Sequence, residues 1–366
     1  MRFAVIGVGA NVFTQHAAAI KSNALTVVGV ADINLAAAEQ RAEDLGCPYF
    51  ADHRELLTQT KPDAVVITAP HPYHAQLAID CLKSGAHVLT EKPIAVEVAE
   101  ADEMIEAATQ ASRLLAVNLQ HRTRADIRAA KSLIQQGKLG ELQRVQMTAI
   151  WTRTQRYYQL ASWRGTWRGE GGGVLMNQSP HTLDLVCYLA GEPSRVTAWN
   201  RTLFHSIETE DTSVAMFEWH NGAIGTLLVS TAQAGEAERL EIAGTRGVLQ
   251  LRRGGVQFWE TDEDLRDFLS QSPEPFASPP LKQVEVQIEQ QPGEGEHTAI
   301  YANFVDAIER GTPLVADGVA GLQSLELANA MIYSGARNEQ VNLPLDRGAY
   351  SELLETLRAS GSSPSR

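Results

Sequence analysis

The stretch Phe3-Ala4-Val5-Ile6-Gly7-Val8-Gly9-Ala10-Asn11-Val12 sets the architecture of this chain. Four apolar residues that end at a glycine predict a short buried strand of a parallel sheet, and a helical segment to about residue 22 follows the turn. A second apolar run over residues 25–30 ends at Ala31-Asp32. Strand, glycine turn, helix, strand and acid, in that order, are the context in which a G-x-G-x-x-G/A pattern predicts a dinucleotide-binding domain.

The glycine turn and the acid also predict which dinucleotide binds. Gly7 makes the turn, and Gly9 lets the backbone approach a pyrophosphate at the N-terminus of the helix. Val12 departs from the small residue expected at the third position, which predicts looser packing of the helix on the strand. Asp32 lies 20 residues after Val12, can accept hydrogen bonds from a ribose diol and would repel a 2′-phosphate. Because no arginine directly follows Asp32, we expect NAD rather than NADP.

Strands and helices continue to alternate as far as residue 123. Further strands are predicted over residues 62–70, 87–89 and 114–118. Strands that alternate with helices form parallel βαβ units, so we predict an α/β Rossmann domain over residues 1–123. Thr90-Glu91-Lys92-Pro93 follows the strand at 87–89. Because ligands in open α/β sheets bind outside the carboxyl ends of the strands, Lys92 is placed to contact one.

The pattern changes after residue 123. One helix is predicted at 177–189, and the other segments read as consecutive strands over 142–152, 195–203, 212–219, 223–232, 239–243, 247–251 and 256–259. This order predicts an α+β domain over residues 124–350, with an open, mostly antiparallel sheet and helices on one face. Helices at 297–310 and 319–337 are expected to pack back towards the first domain. Residues 351–366 are expected to form a C-terminal segment and tail, disordered from residue 360.

Composition restricts the possible partners and compartments. The net charge of −13 argues against nucleic acid or an anionic membrane as the partner. No apolar run is long enough for a transmembrane helix, and the run after Met1 ends at glycine without a signal-peptide cleavage site. Cys47, Cys81 and Cys187 have no paired spacing, so we predict no disulfide framework and expect a reducing cytoplasm.

Further motifs follow the glycine turn in a fixed order: Gly7-x-Gly9, Asp32, Thr68-Ala69-Pro70, Glu91-Lys92-Pro93, Asn118, and Gly171-Gly172-Gly173 with His181-x-x-Asp184. Together they resemble the Gfo/Idh/MocA family of oxidoreductases over roughly residues 1–337. The resemblance implies a Rossmann domain followed by an open antiparallel sheet. It also implies NAD or NADP, a sugar, polyol or inositol-like substrate, and a homodimer or homotetramer formed through the C-terminal sheet.

The residues expected to contact the cofactor lie in the glycine turn and at the carboxyl ends of the following strands. They are Gly7, Gly9, Asn11, Val12, Asp32, Thr68, Ala69, Pro70, His71, His74, Glu91, Lys92, Pro93 and Asn118.

The resemblance assigns catalytic roles to two residues. Lys92 matches the active-site lysine of the family; beside an oxidised nicotinamide its pKa would be lowered, and it can stabilise a developing alkoxide. His181 matches the catalytic histidine, the expected general base or proton shuttle. Asn177 lies four residues before His181 and Asp184 three residues after it, so one helix face would present all three side chains.

Asn177 departs from the family pattern. Many members carry aspartate there, which orients the histidine and raises its basicity, whereas asparagine contributes no charge. Two options follow: either Asp184 orients His181, or Lys92 carries more of the proton transfer. Asn177 can also serve as an N-cap, since Pro180 is tolerated in the first turn of a helix.

Aromatic and arginine side chains precede the glycine run at 171–173. Aromatic rings pack on the apolar faces of sugar rings, and arginine donates to hydroxyls or carboxylates. An ordinary surface or interface cluster is the alternative. The candidate substrate contacts are Arg153, Tyr157, Trp163 and Arg164, together with Lys92, His121, Arg122, Asn177 and His181.

The predicted function is hydride transfer between NAD and a secondary hydroxyl of a sugar, anhydrosugar, polyol or inositol-type substrate. A redox-assisted lyase or glycosidase that recycles bound NAD would use the same residues. A non-enzymatic sugar-sensing regulator fits less well, because Lys92 and His181 are both present. No metal is expected. The spacings of His71, His74, His121 and His181 fit no metal-binding signature.

Overall fold

The computed structural model describes residues 1–235, 238–252 and 254–361, and its first part is a six-stranded parallel sheet. The strands are β1 (Arg2–Ile6), β2 (Thr26–Ala31), β3 (Tyr49–Phe50), β4 (Ala64–Ile67), β5 (His87–Thr90) and β6 (Leu115–Val117). The connecting helices are α1 (Phe13–Ser22), α2 (Leu35–Leu45), α3 (His53–Thr60), α4 (His74–Lys83) and α5 (Val98–Ala111). The predicted Rossmann fold is confirmed, with β3 and α3 as additions that the sequence pattern does not reveal.

The strand order β3-β2-β1-β4-β5-β6 places β1 beside β4 at the point where the order reverses. Crevices for ligands form at such a point, outside the carboxyl ends of the strands. The glycine turn after β1 and the segments that follow β4, β5 and β6 therefore meet at one edge of the sheet.

A nine-stranded sheet forms the second part of the molecule. Its strands are β7 (Leu142–Ile150), β8 (Arg195–Arg201), β9 (Thr212–Glu218), β10 (Ile224–Ser230), β11 (Glu238–Gly244), β12 (Gly247–Arg252), β13 (Gly255–Glu260), β14 (Lys282–Val284) and β15 (Val341–Asn342). Their order is β14-β13-β12-β11-β7-β10-β9-β8-β15, and β7 pairs with β10 in parallel while the other described pairs are antiparallel. The predicted open, mostly antiparallel sheet is confirmed.

Several of the remaining helices pack on this sheet, and others contact the Rossmann domain. They are α6 (Ala125–Gln135), α7 (Gln155–Tyr158), α8 (Trp167–Glu170), α9 (Val174–Asn177), α10 (Pro180–Ala190), α11 (Leu265–Gln271), α12 (His297–Arg310), α13 (Gly318–Arg337) and α14 (Arg347–Ser360). Helix α13 packs against α10 and β8 on one side and against α5 on the other. Helix α14 occupies most of the predicted C-terminal segment, and residues 362–366 of the predicted tail lie outside the described residues.

Helix α12 returns to the Rossmann domain and packs against α1. Its buried residues Tyr301 and Phe304 lie on Phe3 of β1, with ring centroids 6.5 and 6.4 Å away. These side chains belong to the same buried cluster as Val5 and Phe13. A segment from the far end of the sequence thus completes the core around β1 and α1.

The predicted single helix at 177–189 is wrong in one respect. The structure divides this segment into α9, which ends at Asn177, and α10, which begins at Pro180. Proline lacks the backbone N–H that would continue a helix and is favoured at its first position, so a new helix starts there. Asn177 and His181 therefore do not share one helix face.

Within the described part of the chain, no helix combines the length and the apolar character needed to span a bilayer.

Replacing Phe304 by alanine tests the contribution of α12 to the Rossmann core. Phe304 is fully buried, so Phe304→Ala should lower the free energy of unfolding by about 3–5 kcal/mol in urea titrations. Phe276, which is 97% exposed, is the matched control. Phe276→Ala should change the free energy of unfolding by less than about 0.5 kcal/mol. Equal losses in both variants would contradict the packing described for α12.

Candidate active site

The turn after β1 is shaped to hold a phosphate group close to the backbone. Gly7 has φ +94°, and a Cβ atom there would lie 2.4 Å from the backbone nitrogen of Ala69, so only glycine fits. Helix α1 has no side-chain cap at Val12 and no acid in its first turn, so no side-chain oxygen competes with an anion at its N-terminus. These features fit the pyrophosphate of a dinucleotide.

Asp32 lies at the end of β2, beside this turn. Its Oδ2 accepts a hydrogen bond from the Gly9 N–H at 2.7 Å, and its Oδ1 accepts one from the Asn34 N–H at 2.8 Å. Each carboxylate oxygen retains a further lone pair for a ribose hydroxyl. Asp32 therefore both shapes the glycine turn and can receive the ribose, as predicted for an NAD-binding site.

Glu91 is a buried carboxylate with hydrogen-bond donors from three distant parts of the chain. His16 Nε2 of α1 lies 3.0 Å from its Oε1, His297 Nε2 of α12 lies 3.2 Å from the same atom, and the amide of Asn118 also donates to it. Tyr301 contacts the other ring nitrogen of His16 at 2.8 Å. We call these five residues the Glu91 network.

The Glu91 network holds the turn that presents Lys92. The backbone N–H of Lys92 donates to Glu91 Oε2 at 3.1 Å. Burial by itself would raise the pKa of Glu91, but the hydrogen bonds from His16 and His297 outweigh it and hold that pKa well below its usual range. Burial lowers the pKa of His16, so the network carries a carboxylate with a neutral His16.

The side chain of Lys92 points across to the second domain. Its Nζ donates to the backbone carbonyl of Asn177 at 2.8 Å. Burial lowers the pKa of Lys92, while the carboxylates of Glu91 and Glu170 oppose that shift. A lysine with a lowered pKa at a domain junction can act as a hydrogen-bond donor to a reacting oxygen.

His181, near the start of α10, lies against His121 from the segment after β6. Their rings stack with centroids 4.3 Å apart and planes at 23°. Burial lowers the pKa of His181 well below its usual range, and the charges of His121 and Lys92 add to the shift. Burial also lowers the pKa of His121, to about 4. Both rings are therefore neutral at pH 7.

Several buried polar atoms around these two histidines have no hydrogen-bond partner among the residues that the structure describes. Buried polar groups are ordinarily paired, so a local concentration of unpaired ones fits a site that receives a polar ligand. They are Thr90 Oγ1, Asn118 Oδ1, Gln120 Oε1, His121 Nδ1, Ser179 Oγ, His181 Nδ1 and Thr182 Oγ1.

Comparison with protein families matches both halves of this architecture. The family described as "Oxidoreductase family, NAD-binding Rossmann fold" matches residues 1–119, and the "GFO/IDH/MocA C-terminal domain" matches residues 127–250. The chain belongs to the Gfo/Idh/MocA family. It is thus an NAD-binding oxidoreductase, and the predictions of family, cofactor and enzyme class are confirmed.

Individual Gfo/Idh/MocA proteins resemble the chain over much of its length. D-glucoside 3-dehydrogenase of Escherichia coli K12 is 30% identical over 254 residues, which are 63% of this chain and 70% of that protein. Inositol 2-dehydrogenase of Rhizobium meliloti is 26% identical over 358 residues, which are 94% of this chain and 99% of that protein. The solved structure of the WlbA dehydrogenase from Bordetella pertussis, in complex with NADH and UDP-GlcNAcA, has a TM-score of 0.81 and 30% identity over 94% of this chain and 99% of that chain.

Of the two options left open for His181, orientation by Asp184 is not what the structure shows, because Asp184 pairs with Arg122. Its carboxylate accepts three hydrogen bonds from the guanidinium of Arg122, at 2.6–3.0 Å, and both side chains are buried. The Arg122 guanidinium also lies 4.4 Å from the centre of the Tyr188 ring. A buried arginine requires a carboxylate partner, so Asp184 and Arg122 join α10 to the Rossmann domain and neither is free to meet a substrate.

Asn177 instead faces the aromatic–arginine segment. Its amide donates to the carboxylate of Glu170, and its Oδ1 accepts a hydrogen bond from the Tyr157 hydroxyl at 3.3 Å. The guanidinium of Arg164 lies between the rings of Tyr157 and Trp163, 4.4 and 4.5 Å from their centres. Of the predicted substrate contacts, Tyr157, Trp163 and Arg164 therefore form one wall with Asn177.

Arg153 and His71 extend this wall at its two ends. The Arg153 guanidinium lies 5.2 Å from the centre of the Tyr157 ring. The His71 ring lies 6.2 Å from that of Trp163, and its Nδ1 is 3.4 Å from the backbone carbonyl of Glu170. His71 thus brings the segment after β4 into contact with the second domain.

Three residues predicted to contact the cofactor have side chains that support the backbone. His74 is buried, with its ring nitrogens 2.7 Å from the Ala69 carbonyl and 2.8 Å from that of Pro93. The Thr68 hydroxyl donates to the Gly7 carbonyl at 2.8 Å. With Glu91, which has its donors within the protein, these side chains hold the loops that form the cofactor edge.

Two buried acids of the site were missed by sequence reasoning. Glu170 is the last residue of α8 and directly precedes Gly171. Glu210 accepts hydrogen bonds from the Gly173 and Leu175 N–H groups at 2.9 and 3.0 Å, and a Cβ at Gly173 would lie 1.9 Å from the Glu210 carbonyl oxygen. The only sequence signal was the position of Glu170 next to the glycine run.

Among the described residues, His16, Glu91 and His297 form one group whose ligand atoms are close enough together to hold a metal ion. Both histidine Nε2 atoms are within hydrogen-bonding distance of Glu91 Oε1. Hydrogen bonding therefore accounts for this arrangement without a metal.

Replacing Glu91 by glutamine tests the Glu91 network. Because Glu91→Gln leaves buried donors facing an amide, we expect a loss of roughly 1–3 kcal/mol in the free energy of unfolding at pH 7. The pKa of Glu91 is lower in the folded protein, so this stabilisation is present above the unfolded-state pKa and is lost as pH falls through the folded one. Urea titrations from pH 7 to about pH 3 should show the difference between the two proteins shrinking below about pH 4.3.

The exposed Glu352 provides the control for Glu91. Glu352→Gln should leave the free energy of unfolding within about 0.5 kcal/mol at every pH. A Glu91→Gln protein as stable as wild type at pH 7 would contradict a structural role for the network.

Proposed function

We propose that this protein oxidises a secondary hydroxyl of a sugar-class substrate and passes the hydride to NAD. The observation that carries the proposal is the electrostatic interaction of Lys92 with a neutral His181 at the domain junction, beside buried polar atoms that have no hydrogen-bond partner among the described residues. A hydroxyl-rich molecule satisfies such atoms, whereas an apolar one would leave them unpaired.

The relatives support a sugar or cyclitol as the substrate. One is named a D-glucoside 3-dehydrogenase and another an inositol 2-dehydrogenase. The WlbA structure contains UDP-GlcNAcA, a nucleotide-linked sugar. All three names refer to rings that carry secondary hydroxyls, so we take a pyranoside or cyclitol as the substrate class.

NAD supplies the acceptor for the hydride. We assign its pyrophosphate to the turn formed by Gly7, Gly9, Asn11 and Val12, and its ribose to Asp32. The remaining predicted cofactor contacts, Thr68, Ala69, Pro70, His71, Pro93 and Asn118, then line the edge of the sheet from the ribose towards Lys92.

Lys92 and His181 divide the work on the substrate oxygen. We assign Lys92 to donate a hydrogen bond to that oxygen and stabilise the negative charge that develops as the O–H bond breaks. His181, being neutral, can take the proton on a ring nitrogen. The electron pair of the adjacent C–H bond leaves as hydride, so one proton and one hydride leave the substrate together.

The wall formed by Tyr157, Trp163, Arg164 and Asn177 is assigned to the rest of the ring. Aromatic surfaces there can cover its apolar face, and Arg153 at the rim can donate to a hydroxyl or carboxylate. On this assignment, residues 1–123 bind the cofactor and residues 124–350 bind the substrate.

Lys92→Ala tests the proposed chemistry. Wild-type protein should form NADH with at least one member of a panel of glucosides, inositols, anhydrosugars and uronic acids. Removing a donor to the developing charge should lower kcat/KM by roughly a hundredfold or more, while NADH affinity, followed by fluorescence, stays within about threefold. Lys83→Ala, an exposed lysine on α4, is the control and should keep full activity.

Two outcomes would count against this assignment. Full turnover of Lys92→Ala would remove Lys92 from the chemistry. Consumption of substrate by the wild-type protein without an equivalent of NADH would favour the alternative in which bound NAD is recycled during an elimination.

We also propose that two copies associate through the open face of the second sheet. Trp199, Val214, Met216 and Ile224 project from this face, and Met216 and Ile224 are 52% and 57% exposed. An apolar patch of neighbouring side chains on a sheet is typical of an interface.

Because Cys47, Cys81 and Cys187 are all unpaired, we place the assembly in a reducing compartment such as the cytoplasm.

Light scattering after size exclusion tests the interface. Met216→Glu would bury a charge between the copies, so the measured mass should fall by half or more relative to wild type. Leu269→Glu on α11, also exposed but outside the sheet, should leave the mass unchanged. Identical masses for wild type and Met216→Glu would exclude this face.

A further inference from the structure

The carboxylate of Glu170 is linked to the Lys92 side chain through Asn177. Its Oε1 accepts a hydrogen bond from the Asn177 amide, and the backbone carbonyl of the same Asn177 accepts one from Lys92 Nζ. Its Oε2 accepts the Gly165 N–H at 2.5 Å. Glu170 is only 2% exposed, so this arrangement is built into the fold and is not a surface contact.

The other buried acids near the site have partners elsewhere. The Glu91 carboxylate is hydrogen-bonded to His16, His297 and Asn118. The Asp184 carboxylate accepts hydrogen bonds from Arg122. The Glu210 carboxylate accepts hydrogen bonds from the backbone N–H groups of Gly173 and Leu175. Glu170 is thus the acid whose side chain bonds directly to Asn177.

We propose that Glu170 is a positioning residue for the proposed reaction: its ionised carboxylate fixes Asn177, and through it Lys92, and keeps the Lys92 amine protonated. The catalytic consequence of this inference rests on the proposed function. The contacts between Glu170, Asn177 and Lys92 are independent of that function. Asn177 can serve in this site without a charge because the carboxylate stands one hydrogen bond away.

The charged groups around Glu170 determine when it is ionised. Burial raises its pKa to about 7, and the hydrogen bonds from Gly165 and Asn177 and the charges of Arg164 and Lys92 oppose the rise. Arg164 Nη1 is 4.0 Å from Glu170 Oε1. Glu210, from the loop before β9, and Tyr157, from α7, also interact electrostatically with Glu170. The backbone carbonyl of Glu170 meets His71.

The sign of the effect on Lys92 follows from these charges. An ionised Glu170 favours the ammonium form of Lys92 and so raises its pKa, whereas a neutral Glu170 does not. Above about pH 7, Glu170→Gln should therefore leave more of the Lys92 amine neutral than in wild type. Below about pH 6, where Glu170 of the wild type is protonated, the two proteins should agree.

Labelling of Lys92 with acetic anhydride, quantified by peptide mass spectrometry from pH 5.5 to 9.5, measures this directly. The wild-type rate should rise less steeply around pH 7, where Glu170 ionises. Glu170→Gln should lack this inflection, and at pH 8.5 its Lys92 should react about tenfold faster for each unit by which the lysine pKa falls. This measurement uses no substrate, so it does not depend on the proposed function.

Two further variants make the result specific. The double variant Glu170→Gln with Asn177→Asp exchanges the amide and the carboxylate, and it should return Lys92 labelling to within about threefold of wild type. Glu326→Gln removes a buried carboxylate that pairs with Arg347 instead, and its Lys92 should label as in wild type.

Turnover gives the second readout. At pH 8.5, Glu170→Gln should lower kcat by roughly ten- to a hundredfold with a smaller change in KM, and the ratio to wild type should approach one below pH 6. A constant ratio at every pH would mean that Glu170 is only structural and would overturn the proposal. An unchanged labelling profile in Glu170→Gln would also overturn it.

If Glu170→Gln does not fold, the wild-type labelling profile decides, because a rate without an inflection near pH 7 excludes the coupling. Absence of NADH formation in wild type with any sugar would contradict the proposed function alone.

Discussion

The buried carboxylate of Glu91 is the interaction on which the rest of the site depends. A charge removed from water is tolerated only where donors surround it. Here the donors come from α1, from the segment after β6 and from α12, which lies more than 200 residues away in the sequence. The turn after β5 is held where these elements meet, and Lys92 takes its position from that turn.

The two domains are joined by a second buried pair that serves a different purpose. Arg122 and Asp184 link the end of the Rossmann sheet to α10. This contact fixes the helix that carries His181 relative to the strand end that precedes Lys92. The site is therefore assembled by two separate electrostatic contacts, one inside the Rossmann domain and one between the domains. Local hydrogen bonds then place Asn177 and Tyr157 of the second domain.

Much of the architecture could be predicted because short-range rules govern it. The apolar run before Gly7 and the acid at the end of β2 identify the Rossmann domain, and the run of strands after residue 140 identifies the second sheet. The break between α9 and α10 was missed, although Pro180 marks it, because the helical pattern continues on both sides. Helix α14 has clear amphipathic spacing but follows a polar stretch and was predicted only as a C-terminal segment.

The side-chain pairs of the site were less predictable than the elements that carry them. Asp184 lies three residues from His181, which suggested an interaction between them, yet its partner is Arg122, 62 residues away. Glu170 was not identified, because a glutamate beside a glycine run has no distinctive periodicity. Both cases have one cause: a buried charge takes the partner that the packing brings within reach, and spacing along the chain does not reveal that partner.

The sequence by itself determined the family, the cofactor and the two sheets, and it indicated Lys92 and His181 as candidate site residues, since these follow from residue types at fixed local spacing. Only the tertiary structure decided which donors hold Glu91, which acid meets Arg122 and which acid stands beside Asn177. These choices depend on contacts between distant segments in a medium where unpaired charges are costly. The glycine turn and Lys92 can thus be predicted from a few neighbouring residues, but the side chains that surround them depend on the whole fold.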